Sequence, residues 1–215
     1  MFIHINSFGK KFMNVKDALA KSTIESPVTQ AYFAILHAPH PETGEHHYFL
    51  MKGKDGNKMR IFGGEANGGE TPLQAIVRET AEETGFIDQP TGEITNPVLY
   101  EILETALIEG FEEQERAPIY SKDHVLTDSE IAKGWHPSQN HVYEIECDYD
   151  LLTTLEKASA MAKTPEGQGT CLLSASEIIE IGAGCFRHPY ESNAIGIHMF
   201  GADAPSCESS FEFIN

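Results

Sequence analysis

Between residues 63 and 86 the chain reads GGEANGGETPLQAIVRETAEETGF, and no other stretch constrains the fold as tightly. Met59 to Phe62 reads as a strand running into the Gly63-Gly64 pair. A second pair, Gly68-Gly69, leads to Glu70. Thr71 to Thr84 is then a helix with both ends written in its residues. Thr71 caps it, Pro72 takes the first helical position and Gln74 completes a capping box. Gly85 stops it. Leu73, Ile76, Val77, Thr80 and Thr84 form its inner stripe. The segment is therefore a strand, a glycine loop and a helix in immediate succession.

The charges on this helix serve no folding purpose. Glu79, Glu82 and Glu83 stand at i, i+3 and i+4, on adjacent positions of one face. Like charges at that spacing destabilise a helix by roughly 0.2–0.5 kcal/mol per pair. A hard divalent cation reverses that balance, because Mg²⁺ and Mn²⁺ prefer carboxylate oxygens. Arg78 can hold a neighbouring carboxylate through paired hydrogen bonds. The glycines let backbone groups approach an anion or a metal closely. Three glutamates alone would read as a solvated acidic face; the complete pattern does not.

That pattern resembles the signature of the Nudix hydrolases: Gly, five residues, Glu, seven residues, Arg-Glu, apolar, any, Glu-Glu, any, Gly, apolar. Here it is filled by Gly64, Glu70, Arg78, Glu79, Thr80, Glu82, Glu83, Gly85 and Phe86. Seven fixed residue types at about 7% each would coincide on the order of once in 10⁸ start positions. GETPLQAIVRE is also similar to MutT-type members, and Glu166-Gly167-Gln168 followed by LLSASEI resembles a loop and strand downstream in that family. Two positions depart from it. Phe62 stands where a proline is usual, and Thr80 takes the apolar place in the box.

The resemblance implies an α/β (α+β) Nudix fold, with a mixed β-sheet sandwiched between helices. It implies an N-terminal extension over 1–27, a Nudix domain over 28–182 with an insertion at about 109–141, and a C-terminal extension over 183–215. It assigns Mg²⁺ or Mn²⁺ to Glu79, Glu82, Glu83 and the backbone carbonyl of Gly63. Glu70 and Arg78 would pair and orient the ligating carboxylates, with Gly64 in support. Glu166 is the candidate for the extra metal ligand or base, with Glu112, Glu113 and Glu115 as rivals from the insertion. Lys52 and Arg60 are candidates for substrate phosphate, and Trp135 for a nucleotide base, although Trp135 could equally sit in the core. Lys52, Lys54, Lys58 and Arg60 form one basic run, which reads either as a solvated loop or as phosphate contact by one or two of them.

The implied reaction is attack of water on a pyrophosphate phosphorus, catalysed with Glu79, Glu83, Arg78 and Glu166. The substrate is of nucleotide type: ADP-ribose-like, a dinucleotide, a nucleoside triphosphate or a capped RNA end. A non-catalytic nucleotide-binding or sensor domain on the same fold is the competing class, and the complete set of box glutamates speaks against it.

Elsewhere the chain reads more weakly. Phe2 to Ile5 is a short strand and Asn14 to Lys21 a short helix. Val28 to His37 and His47 to Lys52 form a hairpin whose loop holds His37, His40, His46 and His47, read as solvent-facing rather than as a metal site, because no nearby acid or cysteine completes a ligand set. Val98 to Ile108 reads as a strand, Thr127 to Lys133 as a short helix and Val142 to Tyr149 as a strand. Asp150 to Lys163 reads as a helix with Leu151 and Leu155 inward. Cys171 to Ser174 is a strand, followed by a helix capped by Ser176. The tail from Gly201 is small and polar.

A formal net charge of −18 argues against a broad nucleic-acid-binding surface, though a bound cation can reverse the local field. No apolar run is long enough for a membrane span and no secretory signal is visible, so a cytoplasmic location is expected, with an exported role left open. Cys147, Cys171, Cys185 and Cys207 lack CxxC spacing and read as reduced structural residues. A homodimer is compatible with the sequence.

Overall fold

The computed structural model describes residues 28–54, 58–112, 117–123, 137–201 and residue 132, with short strands at His4–Ile5 (β1), Lys11–Met13 (β2) and Leu126–Thr127 (β10). The other strands are β3 (Thr29–Pro39), β4 (His46–Gly53), β5 (Met59–Arg60), β6 (Phe62–Glu65), β7 (Ile87–Asp88), β8 (Glu93–Ile94), β9 (Tyr120–Asp123), β11 (Ser138–Glu146) and β12 (Gly167–Ser174). Five helices are described: α1 (Pro72–Glu83), α2 (Pro97–Glu112), α3 (Tyr149–Ser159), α4 (Ala175–Ile181) and α5 (Pro189–Phe200).

The main sheet runs β12-β4-β3-β11-β9, with β5 paired to β4 and β6 to β3. Only the β3–β11 pairing in it is parallel, so the sheet is mixed as expected. Strand alternation sends side chains to two cores. Ala34, Leu36, Phe49, Met51 and Ile145 pack against Ile76 and Ala81 of α1, Leu103 and Leu107 of α2, and Leu152 and Leu155 of α3. Phe33, Ile35, Tyr48, Leu50 and Val142 pack against Ile178 of α4 and Ala194 and Ile195 of α5. Residues after 182 thus supply a helix to the second core.

Several expectations change. Val98 to Ile108 is not a strand but the body of α2. Asn96 starts that helix by accepting the Leu99 N–H at 3.2 Å, and Pro97 follows it. Exposed Val98 and Ile108 blurred the apolar stripe that Leu103 and Leu107 carry inward. Ser174, not Ser176, caps α4, with Glu177 closing the box. The inward face of α3 is led by Leu152, Leu155 and Ser159. The helix expected at Asn14–Lys21 lies outside the described residues, as does nearly all of the one at Thr127–Lys133, whose first residue ends β10. Cys147, Cys171 and Cys185 are free thiols, and burial pushes Cys147 up to about 12 and Cys171 up to about 11. No described helix is long and apolar enough to cross a membrane.

The threonine in the apolar box position leaves a mark. Thr80 is fully buried and its hydroxyl oxygen has no hydrogen-bond partner. Isosteric Thr80→Val removes an unsatisfied polar group and should stabilise the protein by about 1 kcal/mol. A urea midpoint that falls instead of rising would show that the hydroxyl is bonded in solution.

Candidate active site

The site is assembled where β6 hands the chain to α1. Thr71 accepts the Gln74 N–H while Gln74 accepts the Thr71 N–H, so the capping box fixes the start of the helix. The residues 65–70 then double back so that Glu70 faces Arg78. Arg78 binds both oxygens of Glu70, with Nε at 2.8 Å and Nη2 at 3.0 Å. Nη2 also donates to the Glu65 carbonyl at 2.9 Å, and Nη1 donates to Glu79 Oε1 at 2.7 Å. One guanidinium thus ties the glycine loop to the first helical carboxylate, and Glu82 Oε1 lies 3.6 Å from it. The Arg78 hydrogen bonds hold the Glu70 carboxyl below the usual carboxylate range.

Glu83 sits deeper, with a side chain only 2% exposed. Its Oε2 accepts the Gly63 N–H at 3.0 Å, and its Oε1 is buried with no hydrogen-bond partner. Arg60 Nη2 stands off at 3.8 Å. Burial pushes the Glu83 carboxyl well above its ordinary range, against the opposing pull of Arg60 and the Gly63 amide. Burial raises Glu79 as well, with Arg78 opposing.

Glu166, in the bend just before β12, reaches this group. It accepts from Arg60 Nη1 at 2.8 Å, and its charge acts on both Glu79 and Glu83. With its side chain 37% exposed, it is the most open carboxylate of the cluster. Arg60 is buried among carboxylates and does not face open solvent. Besides Glu83 and Glu166 it meets Glu191 of α5, with Nε 3.7 Å from Oε1. Sequence reasoning missed Glu191, which is fully buried and raised to about 7 by that burial. Its signal was the His188-Pro189-Tyr190-Glu191 start of α5, where Glu191 accepts the His188 N–H as the closing residue of a capping box.

Gly63, Gly64, Glu70, Arg78, Glu79, Glu82, Glu83, Glu166 and Arg60 therefore converge. Lys52 does not join them: alternation puts it on the β4 face of Tyr48 and Leu50, and no ion pair links it to these carboxylates among the described residues. Trp135, Glu113 and Glu115 lie outside the described residues. Glu112 ends α2, and its side chain is likewise outside them.

A family model described as NUDIX domain matches residues 34–159, more than half of the chain. No curated protein matches it. Among solved structures, a MutT/Nudix family protein from Listeria innocua is 16% identical, with 72% of this chain and 83% of that chain covered and a TM-score of 0.42. A MutT protein from Methanosarcina mazei Go1 is 14% identical over 80% of this chain and 92% of that one, with a TM-score of 0.42. An Ap4A hydrolase from C. elegans is 16% identical over 72% and 86%, with a TM-score of 0.39. Likenesses at this level carry no information on substrate.

Proposed function

Because this chain belongs to the Nudix family of pyrophosphohydrolases, we propose that it is a divalent-cation-dependent hydrolase of a nucleoside diphosphate linked to another moiety. The linked group would be a sugar phosphate, a second nucleotide or a further phosphate.

The observation that carries this reading is Glu83. A buried carboxylate with one oxygen left without a hydrogen bond is costly unless a cation meets it. Glu79 and Glu82 lie on the same helical face, and Glu166 approaches from the bend before β12, so the donors are hard oxygens suited to Mg²⁺ or Mn²⁺. The Gly63 carbonyl, expected as a further ligand, belongs to the residue whose N–H already holds Glu83. When bound, the cation supplies a lowered water pKa and neutralises phosphate oxygens.

The protein's own groups divide the remaining work. Arg78 orients Glu79 and anchors the glycine loop through Glu70 and the Glu65 carbonyl. The Gly63 amide fixes the Glu83 carboxylate. Glu166, the most open of the carboxylates, is placed to take the proton of the attacking water on an Oε atom. Arg60, surrounded by carboxylates, positions Glu83 and Glu166.

The test is a panel of nucleoside diphosphate derivatives and nucleoside triphosphates, incubated with the protein and Mg²⁺ or Mn²⁺, with phosphate read after phosphatase treatment. Turnover of at least one compound that stops in excess EDTA is expected. Full turnover in EDTA would overturn the cation dependence, and binding without turnover across the panel would favour the non-catalytic reading.

A further inference from the structure

The histidines expected to face solvent in the β3–β4 loop do not all do so. His37 is 1% exposed, and it meets His46 of β4 and His198 of α5 on the sheet face that α5 covers. One ligand atom from each of the three lies within 4.8 Å of the other two. Glu144 of β11 joins them, since parallel pairing with Ile35 puts it on the same face. We propose that His37, His198 and Glu144, backed by His46 and Tyr48, form a binding site for a zinc-class transition metal ion, separate from the acidic helix.

The geometry is specific. Glu144 Oε1 lies 3.5 Å from His37 Nε2 and 3.6 Å from His198 Nε2. Tetrahedral ligands about 2.0–2.1 Å from Zn²⁺ stand roughly 3.3 Å apart, so modest closure around an ion is enough. The opposite nitrogen of each ring already has a partner. His37 Nδ1 is 3.0 Å from His46 Nδ1, and His198 Nδ1 is 2.8 Å from the Tyr48 hydroxyl. Such outer hydrogen bonds fix the tautomer that turns Nε2 toward a metal.

Two imidazoles with one carboxylate suit zinc, cobalt or nickel better than magnesium. The site is also remote from the acidic one. His37 lies four residues along β3 from Phe33, which pairs with Gly63, a separation of roughly 13 Å at strand rise. Helix α5, which supplies His198, lies beyond the residues matched by the family.

The experiment uses the full chain, stripped with chelator and then titrated with Zn²⁺ or Co²⁺ in excess Mg²⁺. One equivalent per chain that resists Mg²⁺ is expected, and Co²⁺ should give the visible absorption of a low-coordinate histidine site. His198→Ala and, as a second variant, His37→Gln should weaken that equivalent by roughly 100-fold while Mg²⁺-dependent turnover persists. Glu83→Gln, altered in the acidic helix, should retain it. Absence of the Co²⁺ spectrum in the unaltered protein, or full retention of the equivalent in folded His198→Ala, overturns the proposal. Loss of the equivalent in Glu83→Gln does the same, because the ion would then belong to the acidic helix.

Discussion

Glu83→Gln should lower kcat by about 100-fold or more and leave the metal-free protein as stable as before, or more stable, at neutral pH. The catalytic part follows from removing a preorganised charge from a buried site. The stability part follows from the sign of its pKa shift. Burial raises the folded-state pKa of Glu83 above the ordinary carboxylate value. The folded protein therefore holds this proton more tightly than the unfolded chain does. Its contribution to stability is fully present below the unfolded pKa and is lost as pH rises through the folded pKa. At neutral pH the group is a burden on the fold, relieved by a neutral isostere. Arg60 is not stranded by the change, because Glu166 and Glu191 remain beside it. Thermal unfolding in EDTA, beside steady-state kinetics in Mg²⁺, separates the two effects. A variant that loses several degrees of Tm at pH 7 would make Glu83 a structural partner of Arg60, and near-normal turnover would move the metal site elsewhere.

The part of the molecule legible in the sequence is the part whose residues act locally. Helix α1 was readable because Thr71, Pro72, Gln74 and Gly85 each impose a backbone state on their own neighbours. The carboxylate face was readable because i, i+3 and i+4 spacing is a property of one helix. Helix α2 was misread because Val98 and Ile108, exposed in the fold, fill out an apolar run that looks like a buried strand. Its own start signal, Asn96-Pro97, was present.

The longer-range features were not legible. Glu191 meets Arg60 only because α5 folds back beside β5. The same helix brings His198 to His37 and His46, from the other end of the sequence. Nothing local to the hairpin separates a histidine held by a distant helix from one in water. His40 and His47 show the same limit, since both meet the Tyr149 ring in T-shaped contacts.

The two glycines at the mouth of the site should respond to the same substitution in opposite ways. Gly63 has φ +132°, a conformation that L side chains rarely adopt. An added Cβ would fall on the Tyr32 carbonyl oxygen and 2.6 Å from the Phe33 Cα. Both are backbone atoms of β3, paired to β6 in the middle of the sheet, and neither can give way cheaply. Strain and overpacking together should cost Gly63→Ala about 3–5 kcal/mol, a large share of a domain's stability. Gly64 is different. Its Cβ would meet the Glu79 carboxylate at 2.7–2.8 Å, the far end of a side chain that can swing aside. That swing breaks the 2.7 Å bond between Arg78 and Glu79 and withdraws a carboxylate from the cluster. Gly64→Ala should therefore fold with a denaturant midpoint close to that of the unaltered protein while turnover falls at least about tenfold. Gly63→Ala should be poorly soluble or shift that midpoint steeply. The reverse assignment, a stable Gly63→Ala with an unfolded Gly64→Ala, would mean that the loop does not enter the site by this path.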